Sequence, residues 1–277
     1  MRPRNQKAIL LSGFARGGTN IAWNILQSHP EICSPIKETG ELFAHSRLLR
    51  TAHRIGGRLG SAFLIRRVLY GQKMLTLSHP ENRFISNEIA YTRQAVNDSI
   101  LCLKSVNHDV RYTETLLKAY PELYFIALVR DGYALCDGYI RRGGTAQEAG
   151  QLYAEMAGAF QRCATMVKHF EMIKFEDIVQ RPFEVARVLF EFAGMNQIEV
   201  DWLRLKSKRL INRSGSHQVV FGAENRKYWF DRNTVTNILV PDINQYQSER
   251  LTPQMVCDFN RLGHWALAYF GYPVRDT

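Results

Sequence analysis

Apolar residues in this chain gather into short blocks, and the blocks alternate with amphipathic stretches. Residues 8–12 (AILLS) form a short, mainly apolar run that ends at Gly13, which predicts a strand buried on both faces of a parallel sheet. A Gly-containing turn follows, and then Ile21, Ile25 and Leu26 recur at helical spacing over 19–27. The order of strand, turn and helix repeats along the chain. Residues 99–103 predict a strand and 110–119 a helix, while 123–129 (LYFIALV) give the strongest strand signal. A helix is expected from the Arg130-Asp131-Gly132 junction to Arg142, a long amphipathic one over 146–169, and a short strand over 172–175. Pro182 opens another helix that ends near Gly194, and the chain closes on a helix from Pro253 to about Phe270. Strands alternating with helices predict an α/β protein: a three-layer αβα architecture around a mostly parallel central sheet.

Two regions break this rhythm. Residues 44–98 are rich in helix formers and charge and read as a helical cap or insertion. Residues 207–250 have little periodicity and many polar groups, which predicts a long functional loop. With 277 residues and no low-complexity linker, a single domain over 1–277 is expected. The balance of 36 Lys and Arg against 26 Asp and Glu leaves +10, which favours an anionic partner without naming it. Five scattered cysteines include no CxxC pair and no zinc-like His/Cys cluster, so no metal is expected, and a reduced, cytoplasmic setting fits them. No apolar stretch is long enough to span a membrane.

The turn Gly13-Phe-Ala-Arg16-Gly17-Gly18-Thr19-Asn20 joins the first strand to its helix. Glycines let backbone N–H groups approach an anion at a helix N-terminus, while Arg16 adds a charged fork and Thr19 a hydroxyl. An ordinary Gly-rich strand-to-helix turn has the same look. The nucleotide-hydrolase loop GxxxxGK(S/T) is absent. The wider stretch GFARGGTNIAWNILQSHPEI, however, resembles the phosphosulfate loop of sulfotransferases that use 3′-phosphoadenosine 5′-phosphosulfate (PAPS), commonly P-K/R-S/G-G-T-T/S running into a helix that ends near HP. That resemblance implies a P-loop NTPase-like sulfotransferase fold, with Arg16, Gly17, Gly18, Thr19 and Asn20 as donor-binding residues. It implies PAPS as co-substrate, PAP as product and no metal.

A second motif of that family places an arginine after a strand and a serine eight residues on, and both hold the 3′-phosphate. Here FIALVRDGYALCDGYIRRGG carries Arg130 in the first place and Gly138 in the second, with Arg141 or Arg142 available to compensate. An arginine at the carboxyl end of a parallel strand faces the ligand crevice. A third stretch, MIKFEDIVQRPF, is similar to the family's V-x-Y-E-D-L-x-x-x-P segment through Phe175, Glu176, Asp177 and Pro182.

Sulfuryl transfer needs a group that takes the acceptor's proton. Glu38, just after a short second strand, resembles the glutamate base of glycan and tyrosylprotein sulfotransferases. His108, four residues after Lys104, resembles less closely the histidine of the cytosolic small-molecule enzymes. Glu38 is the favoured candidate, with Arg16 stabilising charge on the leaving oxygen.

The acceptor is open: a small molecule, a glycan or a peptide. From 44 to 80 the chain carries Arg47, Arg50, Arg54, Arg58, Arg66, Arg67 and Lys73 and no acidic residue, a stripe suited to an acidic acceptor or peripheral membrane contact. Near the end, Arg213-Ser-Gly-Ser-His-Gln-Val-Val resembles a tyrosylprotein-type segment leading into a cofactor-covering loop. Two other readings stand beside this one. One is a P-loop-like nucleotide-dependent phosphotransferase, the other a non-enzymatic anion- or nucleic-acid-binding protein. No basic–aromatic pattern of a specific nucleic-acid reading surface is present.

Overall fold

The computed structural model of the chain describes residues 7–55, 60–78, 92–195, 200–211 and 217–276. Its centre is a five-stranded sheet of β1 (Lys7–Gly13), β2 (Ile32–Cys33), β3 (Ile100–Val106), β4 (Glu122–Val129) and β5 (His169–Lys174). The spatial order is β2-β3-β1-β4-β5, and every pairing is parallel. Alternation along each strand explains the two cores. Ala8 and Leu10 of β1 enter one apolar cluster with Leu101, Leu103, Phe125 and Ala127, whereas Ile9 and Leu11 enter the other with Cys102, Ile126 and Leu128. Fully burying a large apolar side chain is worth about 1.5–3 kcal/mol, and each of the three central strands places several in the cores.

The first core is covered by α2 (Thr39–His45), α3 (Arg47–Arg54), α4 (Ser61–Met74), α6 (Thr113–Ala119), α7 (Gly132–Ile140), α8 (Ala146–Met166) and α12 (Pro253–Tyr269). The second is covered by α1 (Thr19–Leu26), α9 (Phe175–Gln180) and α10 (Pro182–Phe192). The short α5 (Arg93–Asp98) leads into β3. This is the three-layer αβα sandwich that the alternation of blocks predicts.

Several boundaries differ from expectation. The long helix stops at Met166, because Val167 is extended and His169 already pairs with Tyr124 as the first residue of β5. Phe175 begins α9 instead of finishing the strand. The stretch 207–250 is less loop-like than its composition implies. It holds β7 (Arg209–Ile211), β8 (His217–Val219), β9 (Lys227–Phe230), which pairs antiparallel with β6 (Leu203–Lys206), and α11 (Ile243–Ser248). Elements of three to six residues are too short to show a period. Arg58 and the segment 212–216 lie outside the described residues.

Register aligns the carboxyl ends that matter. Gly13 is level with Val106 and Leu128, and Val129 with Lys174, so whatever follows β1, β3, β4 and β5 emerges on one edge.

Candidate active site

The turn after β1 is tightly determined. Gly17 N–H donates to Phe14 O at 2.9 Å, and Ala15 N–H donates to Asn107 Oδ1 at 2.8 Å. Arg16 has φ 66, a left-handed backbone that costs about 1–2 kcal/mol for a residue with a side chain. Gly18 is the N-cap of α1 with φ 88, and a Cβ there would come within 2.2 Å of Phe175 Cδ2. Only glycine suits both demands. The helical ladder begins with Ile21 and Ala22 donating to Gly18 O, so the N–H groups of Gly18, Thr19 and Asn20 precede it and face the turn's open side. Burial and the nearby Arg142 and Arg141 lower the pKa of Arg16. Positive charge is crowded here, and an anion would relieve it.

A second cluster stands over the end of β3. Lys104 is 2% exposed, and its Nζ lies 2.6 Å from Glu38 Oε1 and donates to Asn20 Oδ1 at 2.6 Å. The ammonium also sits 4.5 Å above the Trp23 ring, whose Nε1 donates to Ser34 Oγ at 2.9 Å. Burial lowers the pKa of Lys104, and Glu38 opposes that shift. Glu38 itself is the N-cap of α2, while Thr39 Oγ1 ties the helix to Lys104 O at 2.9 Å. The favoured carboxylate and the phosphate-type turn are therefore brought together by one buried cation. His108 is not part of this group. It lies on the 3₁₀ turn Asn107–Tyr112, its side chain is 64% exposed, and Nδ1 is 3.8 Å from Glu155.

Arg130, after β4, is 5% exposed and firmly held. Its Nε donates to Asn244 Oδ1 at 2.7 Å, Nη1 to Arg16 O at 2.6 Å and Nη2 to Gln247 Oε1 at 2.6 Å. The guanidinium lies 4.3 Å over the Phe175 ring, and burial lowers its pKa to about 10. Of its five N–H groups, two remain for a ligand. Gly138 sits inside α7, so its N–H is spent in the helical ladder and what it offers is space. A Cβ there would meet Arg16 Cβ at 3.7 Å, an ordinary contact. Arg141 is paired with Asp137 at 2.7 Å, whereas Arg142 lines a cavity of about 410 Å³ beside the turn, with Phe14, Arg16, Tyr139, Glu148 and Tyr153.

The basic stripe is divided. Arg66 donates to Ala119 O, and Lys73 is buried and donates to Ser99 O, so both serve packing. Arg47, Arg50, Arg54 and Arg67 are exposed. Sequence reasoning missed Asn107, Asn244 and Gln247, which carry no pattern of their own. Among the described residues no group of His, Cys, Asp and Glu could hold a metal ion, and no helix is long and apolar enough to cross a membrane.

A family model described as "Sulfotransferase family" matches residues 8–199. No curated protein matches the chain by sequence. Among solved structures it is similar to the sulfotransferase domain of the olefin synthase of Synechococcus PCC 7002, at 18% identity over 98% of this chain and 96% of that chain, with a TM-score of 0.55. It is similar also to the sulfotransferase domain from the curacin biosynthetic pathway, at 14% identity over 97% of this chain and 99% of that chain, again with a TM-score of 0.55. Both likenesses are likenesses of fold.

Proposed function

The chain belongs to the sulfotransferase family, and from that premise we propose that it moves a sulfuryl group from PAPS to a hydroxyl or amine of a small acceptor, with Glu38 as the base. The observation that carries this reading is the 2.6 Å contact of Glu38 with Lys104, which also donates to Asn20 on the donor turn at 2.6 Å.

The residues fit a phosphosulfate. Gly18, Thr19 and Asn20 present first-turn N–H groups, and Arg16 supplies charge in a spot where like charges already crowd it. The two remaining N–H groups of Arg130, with Arg142 and the space at Gly138, suit the 3′-phosphate. PAPS supplies the sulfuryl group; the protein's part is to hold, orient and take a proton. Glu38 accepts the acceptor's proton as the new O–S or N–S bond forms and the bond to the phosphate oxygen breaks. Arg16 stabilises the charge that gathers on that departing oxygen. Lys104, 2.6 Å from Glu38 Oε1, aims the carboxylate. The cavity beside the turn, lined by Arg142 and Gly138, belongs to the donor side, and the acceptor classes are a small molecule, a glycan or a peptide. Five free thiols, four of them buried, accord with a reducing, cytoplasmic setting. The phosphotransferase and nucleic-acid readings have no observation in their favour.

Calorimetric titration with PAP tests the donor half; absence of binding below millimolar concentration would reject it. A screen of hydroxyl and amine acceptors with labelled PAPS tests the transfer.

A further inference from the structure

Glu176 belongs to a stretch that sequence resemblance treats as fold evidence, yet its carboxylate is fully employed beside the donor turn. Oε1 accepts from Asp131 N–H at 3.0 Å and from Asn244 Nδ2, and Oε2 accepts from Tyr272 OH at 2.6 Å. Asn244 then uses its other end, Oδ1, to accept from Arg130 Nε at 2.7 Å. Only one amide orientation serves both neighbours, because a guanidinium can only donate and a carboxylate can only accept. Arg130 completes the chain by donating to Arg16 O at 2.6 Å.

The far end is tied down as well. Lys174 Nζ donates to Gly271 O at 2.8 Å and sits 4.5 Å over the Tyr272 ring. Arg275 donates to Ser248 O at 3.0 Å and to Ser248 Oγ at 2.7 Å, which fixes the end of α11. That helix carries both Asn244 and Gln247, the two side-chain acceptors of Arg130. The C-terminal tail thus holds both the carboxylate and the helix that brace Arg130.

We infer that Tyr272, Glu176 and Asn244 are positioning residues for the donor turn, a relay from the tail through Arg130 that keeps Arg16 in its left-handed backbone. The relay touches no reacting atom. It acts by holding a carbonyl whose residue would otherwise relax, since the φ of 66 at Arg16 persists only where surroundings over-determine it. The inference rests on the donor reading only for its effect on ligand binding. Its effect on the turn can be read without ligand.

Two measurements on the full chain test it. The first is hydrogen exchange of the ligand-free protein, comparing wild type with Tyr272→Phe, which keeps the ring and removes the hydroxyl. Faster exchange in the segment 13–20 is expected. Unchanged exchange there, with loosening confined to the tail, would overturn the relay. The second is titration with PAP and with adenosine 5′-phosphate, which lacks the 3′-phosphate. Loss of one hydrogen bond to a charged group should weaken PAP by roughly tenfold, and adenosine 5′-phosphate as well because the turn's contacts are common to both. Glu176→Gln, which still accepts from Asn244 and Asp131, should be milder than Glu176→Ala, and the KM for acceptor should stay put. Affinities unchanged in Tyr272→Phe would overturn the relay's role in binding. If wild type itself fails to bind PAP, the donor reading falls while the exchange result still decides the relay.

Discussion

Two buried cations stand on the carboxyl edge of the sheet with similar partners. Lys104, at the end of β3, meets Asn20 and Glu38; Arg130, at the end of β4, meets Asn244 and, through it, Glu176. The difference lies in the carboxylates. Glu38 touches its lysine directly and keeps a side chain 36% exposed, open to a substrate. Glu176 reaches its arginine only through an amide and is sealed on the other side by the Tyr272 hydroxyl. A carboxylate that keeps one open side can exchange a proton with a ligand. One whose oxygens are both occupied can only hold things still. On the proposed function the same ingredients give a reactive end and a scaffolding end, and the cations differ accordingly: a compact ammonium for one partner pair, a planar fork for three separate acceptors.

The sharpest way to break this comparison is at the reactive end. Glu38→Gln keeps the shape and removes the base, so turnover should fall by about 10²–10⁴ while PAP affinity stays within about twofold. His108→Ala should retain near-normal turnover. If the two results are exchanged, the reactive end has been misassigned.

At the scaffolding end the loss should appear first in stability. Arg130→Met leaves Asn244 Oδ1, Gln247 Oε1 and Arg16 O without their donor, each a buried acceptor worth about 1–3 kcal/mol. Denaturant unfolding should show a loss of about 3 kcal/mol, and Arg130→Lys should recover little of it because one ammonium cannot span the three acceptors. A stability within about 0.5 kcal/mol of wild type would mean that the fork is not structural.

How far each end was legible follows from chain distance. Lys104 shows in the sequence as a charge directly after the predicted strand 99–103, and Gly18 as part of a turn that resembles a phosphosulfate loop. Asn244 and Gln247 are 114 and 117 residues from Arg130, in a stretch without period, and Tyr272 is 96 residues from Glu176. Partners that meet only through tertiary folding leave no spacing to read. By resemblance Glu38 and His108 are both candidates, with Glu38 favoured; the 3₁₀ turn after β3 carries His108 out to solvent.

Whether the scaffolding end also receives ligand can be sharpened at Gly138. A serine there is sterically admissible, since its Cβ would stand 3.7 Å from Arg16 Cβ. Its hydroxyl would add one hydrogen bond to a charged group, worth about 1.5 kcal/mol, or roughly a tenfold tightening of PAP. Adenosine 5′-phosphate should not gain. Equal gains for both ligands would remove the 3′-phosphate from this end.

A third buried cation has no directly bonded carboxylate among the described residues. Lys73 is 5% exposed, with Ser99 O and the Asn97 O at 3.4 Å as its hydrogen-bond acceptors, and burial lowers its pKa from 10.5 to about 8. Below about pH 8 it is charged in both folded and unfolded chains, and the burden of burying that charge is fully expressed. Between about 8 and 10.5 the unfolded chain binds more protons at this site than the folded one, so the site's contribution to stability rises with pH. Lys73→Met has no such titration. The stability difference between variant and wild type should therefore shift toward wild type across that window, by at most about 1.4 kcal/mol per pH unit, and stay flat from pH 6 to 7.5. A difference that is level through the whole range would show Lys73 to be neutral or well solvated. Lys104, whose burial is offset by Glu38, should give a weaker slope in the matching Lys104→Met comparison, and that contrast isolates what a direct carboxylate partner contributes to keeping a buried cation charged.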